Sequence, residues 1–536
     1  MEVLILQKMK SFLITAAIFF GICFIYILIM LSTTEHYFTY LLDDAYIHMA
    51  IAKNFAVHGI WGMTRYAFSS SSSSPVFTLI LSALIFLFGD HALIPLIFNL
   101  VSAGLLIVIL NKYYSLFFNQ NRSIVWACLF SLFFAVLHVQ IVTGMEHILQ
   151  TLMIAINMYC FKKWSDSEGK DRISQYGFYF TLLSLGLIRF ESMFYFVSLA
   201  FVFMLIRKWK DSALVLVCGF VPIFLFGYFN YPKSGYFFPN SVIAKGSLID
   251  FSGGIPRQII DLVLKKVILN TSFYKIGLFP LMISMVLLYK DYQKKLSFQK
   301  IIANNFLIIA WNSTFILHSL FGEIKGQFRY EAYLLVAFAM VLIPKLTSFF
   351  AQPLQFFRKE RIIGISILAN VLLLVYKSGH AHMLITNGSA NIYEQQIQSA
   401  RFLKKYYNSS KVVANDIGAI CYFTDIHLLD FMGLGSKEML PFRTKDKRPD
   451  DQFENFLTRS AVENQYQLAI AYEEWLDGHT PKNWKKAAYL EVGGKNVVLG
   501  EKHLFIYSIN PEIHNSLQQN IRNFNWNKNV KVTIIE

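Results

Sequence analysis

The sequence predicts a polytopic α-helical membrane domain followed by a soluble α/β domain. Three observations carry this reading. Of the 536 residues, 55% are hydrophobic and 15% charged, whereas a soluble protein carries about 25% charge. Apolar runs of about 17–22 residues recur from Ser11 to Tyr376, close to the length that crosses a bilayer. Beyond residue 377 the chain turns polar and is long enough to bury a core of its own. The expected units are residues 1–377 and 378–536.

The runs fall at 11–32, 92–111, 123–141, 147–161, 176–188, 193–206, 212–229, 273–289, 302–320, 332–350 and 362–377, which gives eleven spans, several of them short and expected to extend into their flanks. Lys8 and Lys10 precede the first run as in a signal peptide. No small-residue cleavage site follows, so an uncleaved helix is expected. The run Pro75–Phe88 reaches only about 21 Å and is read as a surface-lying or re-entrant helix. Residues 33–91 then form one long outer loop. With this parity the clusters Lys162-Lys163, Arg207-Lys208, Lys294-Lys295 and Arg358-Lys359 all lie inside, with the N-terminus. The C-terminal domain lies outside. The same pattern accounts for much of the net charge of +15 without a nucleic-acid partner. In the tail, Lys411–Ala414, Ala469–Ala471, Asn496–Leu499 and Leu504–Tyr507 read as strands, with helices at Tyr393–Tyr407 and Asp450–Asn464 between them. The run Ser69–Ser74 reads as a mobile low-complexity loop. The five cysteines show no metal or disulfide spacing.

Five polar clusters fall on the outer side. Asp43-Asp44 follows the first span, where uncompensated carboxylates are costly. The pair can supply a general base or hold a divalent cation (Mg, Mn or Ca), and one member can cap the helix that follows. Glu146 and His147 sit between two spans, as metal or orienting groups or as helix-start residues. Arg189 and Glu191 form either an ion pair or an anion contact. Asn240, Ser241 and Lys245 lie in an aromatic stretch suited to sugar and phosphate, or to a membrane-interface belt. Arg329 beside Tyr330 suits phosphate, because the guanidinium fork bonds it bidentately. Convergence of all five on one side points to a single site.

No phosphate-loop or dinucleotide fingerprint is present. Nucleotide sugars are made inside, so a sugar donor used on the outer face should be lipid-linked. The stretch Asp43-Asp44-Ala45-Tyr46-Ile47, with Lys53-Asn54 and Gly59, resembles the first outer loop of the GT-C superfamily of membrane glycosyltransferases. Within it, the mycobacterial terminal arabinofuranosyltransferases and their relatives are the most similar subgroup. Thr143-Gly144-Met145-Glu146, Arg189-Phe190-Glu191, Pro239-Asn240-Ser241 with Lys245, Arg329-Tyr330, and Val413 to Gly418 running on to Asp430–Leu434 resemble that group's motifs in order. Two departures bear on the donor: Ser74-Pro75 follows serines rather than Gly-Tyr-Ser/Thr-Asn, and Ala50 stands where an arginine is usual.

The resemblance implies a glycosyltransferase in the bacterial cytoplasmic membrane. It implies a polyprenyl-phosphate-linked sugar donor and a glycan, lipid or protein acceptor outside. Asp43 is the first choice of base, with Asp44 the other. Asp44 and Glu146 are the metal or orienting groups. Arg329, Lys245, Asn240, Arg189 and Tyr330 bind the donor phosphate or sugar, and transfer inverts the anomeric centre. A transporter or lipid-linked-sugar flippase is the alternative, although transporters place charges nearer the midplane.

Overall fold

The computed structural model describes residues 2–245, 254–324, 326–443 and 448–536, with side chains from Met9 onward except that of Lys245. From Glu2 to Tyr406 every regular element is a helix. Six are long and apolar enough to cross a membrane: Met9–Thr33, Ile94–Tyr114, Trp209–Ser234, Thr271–Gln293, Ala332–Ala351 and Arg361–Tyr406. Phe298–Asn304 and Phe306–Phe321 make a seventh if their 79° bend lies within one span. Pro75–Phe88, Asn121–Phe134 and Phe190–Leu205 are apolar but shorter. A count of eleven needs such shorter helices to cross as well.

Local sequence explains where several helices stop. Pro75 opens its helix in the first turn, where a missing N–H costs nothing. The expected run 123–141 is broken: Asn121–Phe134 ends, Val136 takes a left-handed φ of 55°, and Leu137–Val142 restarts. The turn after it carries Gly144 at φ 70°. A Cβ there would lie 2.4 Å from the Tyr40 ring, so only glycine lets the turn pack this closely. The expected run 362–377 belongs to a longer helix, Arg361–Ile392. It continues through a π turn at Tyr393–Ile397 into Gln398–Tyr406.

The tail forms a six-stranded sheet of β1 (Lys411–Ala414), β2 (His427–Asp430), β3 (Leu468–Ala471), β4 (Lys485–Val492), β5 (His503–Ser508) and β6 (Val530–Ile534), in the order β2-β1-β3-β5-β4-β6. β1 runs parallel to β2 and β3, and the remaining pairs are antiparallel. One face packs under the helix Asp451–Glu463 through Phe453, Leu457 and Ala461. The other face carries Val412, Ile470 and Ile506 into the same apolar core as Tyr46 and Ile51 of the membrane part. The sequence reading missed β2, β4 and β6. Its strand at Asn496–Leu499 is a turn. There the Asn496 carboxamide oxygen accepts the Leu499 N–H at 3.0 Å, and the Val497 N–H goes to Asn391 at 2.9 Å. A side chain that bonds its own backbone this way competes with sheet pairing.

Candidate active site

The helix Asp44–His58 brings the acidic pair to the seam between membrane part and tail. Successive residues at a helix start point in different directions, and here the two carboxylates part company. Asp43 is turned into the tail, where its two oxygens accept the N–H groups of Gly418 at 2.6 Å and Ala419 at 2.8 Å. Asp44 faces a cavity of about 520 Å³. Burial and the nearby Asp416 push the Asp43 carboxyl up to about 8, against the two N–H bonds that favour its charge. Asp430, buried under the turn that carries Leu434, is likewise pushed up, to about 7.

A folded chain that holds protons its unfolded form has released gains most at low pH. These two carboxyls are therefore expected to support the fold fully below about pH 4 and progressively less as pH rises through 7 to 8. Thermal unfolding of the Asp43→Asn and Asp430→Asn variants between pH 5 and 9 checks this, because each should flatten the slope.

Gly418 tests the same joint from the other side. A Cβ on it would meet the Asp43 carbonyl oxygen at 2.1 Å. Gly418→Ala is expected to cost about 1–3 kcal/mol through overpacking. Limited proteolysis should show new cleavage around residues 410–435.

Around the cavity the charges form a chain of contacts. Arg329 Nη1 bonds Asp44 Oδ2 at 2.6 Å, and its Nε bonds the Gly326 carbonyl at 3.1 Å. Among the described residues its Nη2 makes no hydrogen bond. The guanidinium groups of Arg329 and Arg189 both lie over the Tyr330 ring, at 5.2 and 5.3 Å. Arg189, freed from helical geometry by the extended backbone ahead of the turn Phe190–Ser192, forks three ways. It pairs with Glu191 through two contacts, bonds Glu146 Oε1 at 2.7 Å, and reaches Ser73 at 3.3 Å. Glu146 is fully buried, and its other oxygen stands 3.4 Å from His48 Nε2. His48 Nδ1 in turn meets Thr78 at 2.9 Å. Met193, Phe194, Val242 and Phe321 give the cavity an apolar wall.

Asp44, Arg189, Arg329 and Tyr330 thus share one cavity. Glu146 stands behind Arg189. Asn240 is placed differently from the sequence reading. Its N–H goes to the Ser70 carbonyl at 2.8 Å and its amide to the Leu434 carbonyl at 3.1 Å, so these groups tie loop to tail, and its neighbour Ser241 lines the cavity instead. Lys245 ends the short helix Asn240–Lys245, and its side chain lies outside the described residues. His147 is buried beside the Tyr330 ring, and among the described residues neither ring nitrogen has a hydrogen-bond partner.

The serine run is not a mobile loop. Ser69 to Ser72 are at most 6% exposed. Ser70 bonds Asn230 at 2.7 Å, Ser71 the Leu434 carbonyl at 2.6 Å, and Ser72 Thr78 at 2.8 Å. Buried hydroxyls are mostly paired, as these are, and Ser71 and Ser73 give the cavity a polar edge. His48 was also missed. The signal was its place four residues after Asp44, on the same helix face.

The donor set argues against a divalent ion held by Asp44 and Glu146. Each carboxylate already carries a guanidinium, Arg329 or Arg189, so an added dication would meet two fixed positive charges. Asp451 and Glu454, on the helix Asp451–Glu463, and His479 of a later loop bring ligand atoms within 4.8 Å of one another, and none of them lines this cavity.

The family model of a domain of unknown function (DUF8728) matches residues 390–507. No curated protein matches the sequence. Among solved structures, ArnT from Cupriavidus metallidurans bound to undecaprenyl phosphate aligns with a TM-score of 0.52 at 12% identity, covering 93% of this chain and 98% of that one. Its apo state aligns with a TM-score of 0.50 over the same shares, again at 12% identity. An oligosaccharyltransferase from Archaeoglobus fulgidus aligns with a TM-score of 0.48 at 12% identity, covering 96% of this chain and 76% of that one. At this identity the likeness to ArnT establishes architecture and nothing finer: the chain has a GT-C-like fold, a helical membrane part with a small C-terminal sheet domain.

Proposed function

We propose that the protein is a membrane glycosyltransferase that moves a sugar from a polyprenyl-phosphate donor to an acceptor hydroxyl at the outer surface of a bacterial cytoplasmic membrane. The observation that carries this reading is the contact of Asp44 with Arg329 at 2.6 Å inside a cavity with one apolar wall. A proton acceptor, a phosphate-binding cation and a lipid-compatible surface stand together. ArnT, whose architecture the chain shares, was crystallised with undecaprenyl phosphate, which fits a polyprenyl donor here. The division into residues 1–377 and 378–536, the eleven crossings and an inside N-terminus belong to the same proposal.

In this reading Asp44 is the base, in preference to Asp43, whose carboxylate is held by the tail. Asp44 accepts the proton of the acceptor hydroxyl as its oxygen attacks the anomeric carbon. The bond from that carbon to the phosphate oxygen breaks on the opposite face, and the anomeric configuration inverts. Arg329, through Nη2, takes the charge that develops on the leaving phosphate. Arg189 adds positive potential beyond Tyr330, and Lys245 lies on the chain segment that borders the cavity. Glu146 and His48 hold Arg189 in place. No metal is needed by this donor set.

The reading is tested by supplying purified full-length protein in proteoliposomes with polyprenyl-phosphate sugars and an envelope glycan acceptor, and following the product by mass spectrometry. A new glycosidic bond supports it. Movement of the lipid-linked sugar across the bilayer with no bond formed would show a flippase instead.

A further inference from the structure

The turn Gly326–Glu331 has two sides, and only one of them faces the cavity just described. Arg329 and Tyr330 point into that cavity. Gly326, Gln327, Phe328 and Glu331 line a second one, of about 190 Å³, closed by the helices Thr271–Gln293 and Arg361–Ile392. Gln327 and Phe328 hold this shape with φ of 50° and 63°, a left-handed conformation costly for side-chain-bearing residues.

The second cavity contains charges that the proposed transfer reaction does not use. Lys377 is 3% exposed, just after the apolar stretch Val371–Val375 of its helix, and Glu331 is 7% exposed. Their charged atoms stand 3.9 Å apart, beyond hydrogen-bond reach. The ammonium otherwise makes one long bond, 3.5 Å to the Phe134 carbonyl, and lies 4.7 Å over the Phe134 ring. A buried ion pair repays its desolvation only when hydrogen bonds complete it, and this pair leaves donor capacity directed at a cavity. Lys275 adds a second cation at the rim, bonded to the Tyr376 hydroxyl at 3.3 Å. His380 stands beside them, edge-on to Phe328 at 5.5 Å. Two lysines against one glutamate leave the cavity net positive, on the other side of the turn that carries Arg329.

We propose that this second cavity binds a phosphate group, with Lys377 and Lys275 as its cationic ligands. Its place between two helices long and apolar enough to cross a membrane suits the headgroup phosphate of a membrane lipid, and its size suits free phosphate equally. The site stands whether or not the first cavity transfers sugar.

Native mass spectrometry of the delipidated full-length protein tests the proposal. The probes are undecaprenyl phosphate, undecaprenol, dihexanoyl-phosphatidylglycerol and inorganic phosphate. Lys275→Gln, at an exposed position that leaves the fold intact, is expected to weaken one phosphate-binding event at least tenfold. The double variant Lys377→Met/Glu331→Gln, which removes the buried pair together, should abolish it. Arg329→Gln should spare it. Binding of both phospholipids identifies a lipid headgroup, and binding of inorganic phosphate alone identifies the free ion; either supports the site. Equal binding of undecaprenol, no phosphate binding, or no change in either lysine variant overturns it. A single bound lipid lost only in Arg329→Gln overturns this site and leaves the first cavity standing. One lost only in the lysine variants does the reverse.

Discussion

Replacing Asp44 with asparagine is expected to slow sugar transfer by about 10²–10⁴-fold, the usual worth of a positioned general base. The substitution keeps the size of the side chain and an oxygen able to accept the Arg329 bond now 2.6 Å long. It removes the negative charge and with it the capacity to take a proton, at a site open enough to solvent for Arg329 to be screened. Thermal stability and donor KM should therefore change little while kcat falls. Asp43→Asn should behave in the opposite way. Its carboxylate accepts two tail N–H groups, and a carboxamide presents an oxygen to only one of them. Loss of stability of about 1–3 kcal/mol, the cost of an orphaned buried donor, should outweigh any direct loss of rate. Initial rates and melting temperatures of the two variants, measured side by side, separate the roles. A rate collapse in Asp43→Asn with an unchanged melting temperature would return the base to Asp43.

The largest structural effect is expected at Glu146. Its carboxylate sits between Arg189 at 2.7 Å and His48 at 3.4 Å, with no exposure to solvent. Removing one partner of a buried pair leaves the other charge uncompensated, at a cost of about 3–5 kcal/mol. Glu146→Ala should therefore unfold at a markedly lower temperature. The remaining molecules should transfer poorly, because Arg189 keeps only Glu191 and the long bond to Ser73 and is free to swing away from Tyr330. Glu146→Gln keeps an acceptor for the guanidinium and should fall between the two. Unfolding curves in detergent that show less than about 1 kcal/mol of loss for Glu146→Ala would mean that the lock does not bear on the fold.

The parts of the site legible in the sequence were those that violate an expectation. Asp44, Arg189 and Arg329 are charges at the ends of apolar runs, and such placement needs a reason whatever the fold. The structure brings Asp44 and Arg329 into contact across 285 positions of sequence. The serine run broke no rule. Uncharged polar repeats look like linkers, and its role depends on Asn230 and Leu434, far along the chain. The bonds of Asn240 to Ser70 and Leu434 were not legible either, because an amide in an aromatic loop suits a sugar as well as a backbone carbonyl. In the tail, β1 and β3 were visible as short apolar runs, being buried on both faces. β6 was not, since Lys531 and Thr533 interrupt it on a partly exposed strand at the sheet edge. The apolar residues Val497 to Leu499 imitated a strand because hydropathy does not register the Asn496 side-chain bond.

The 46-residue helical stretch Arg361–Tyr406 has a consequence for how substrates meet. A tail hung on a flexible linker could sweep the surface for acceptors and deliver them. This one stands on a helical mast rooted in the bilayer, so its bearing over the crevice is set when the chain folds. Under the proposed transfer, encounter then falls to the mobile reactants: a lipid-borne donor would arrive by lateral diffusion, and the acceptor would thread a stationary doorway beside the tail.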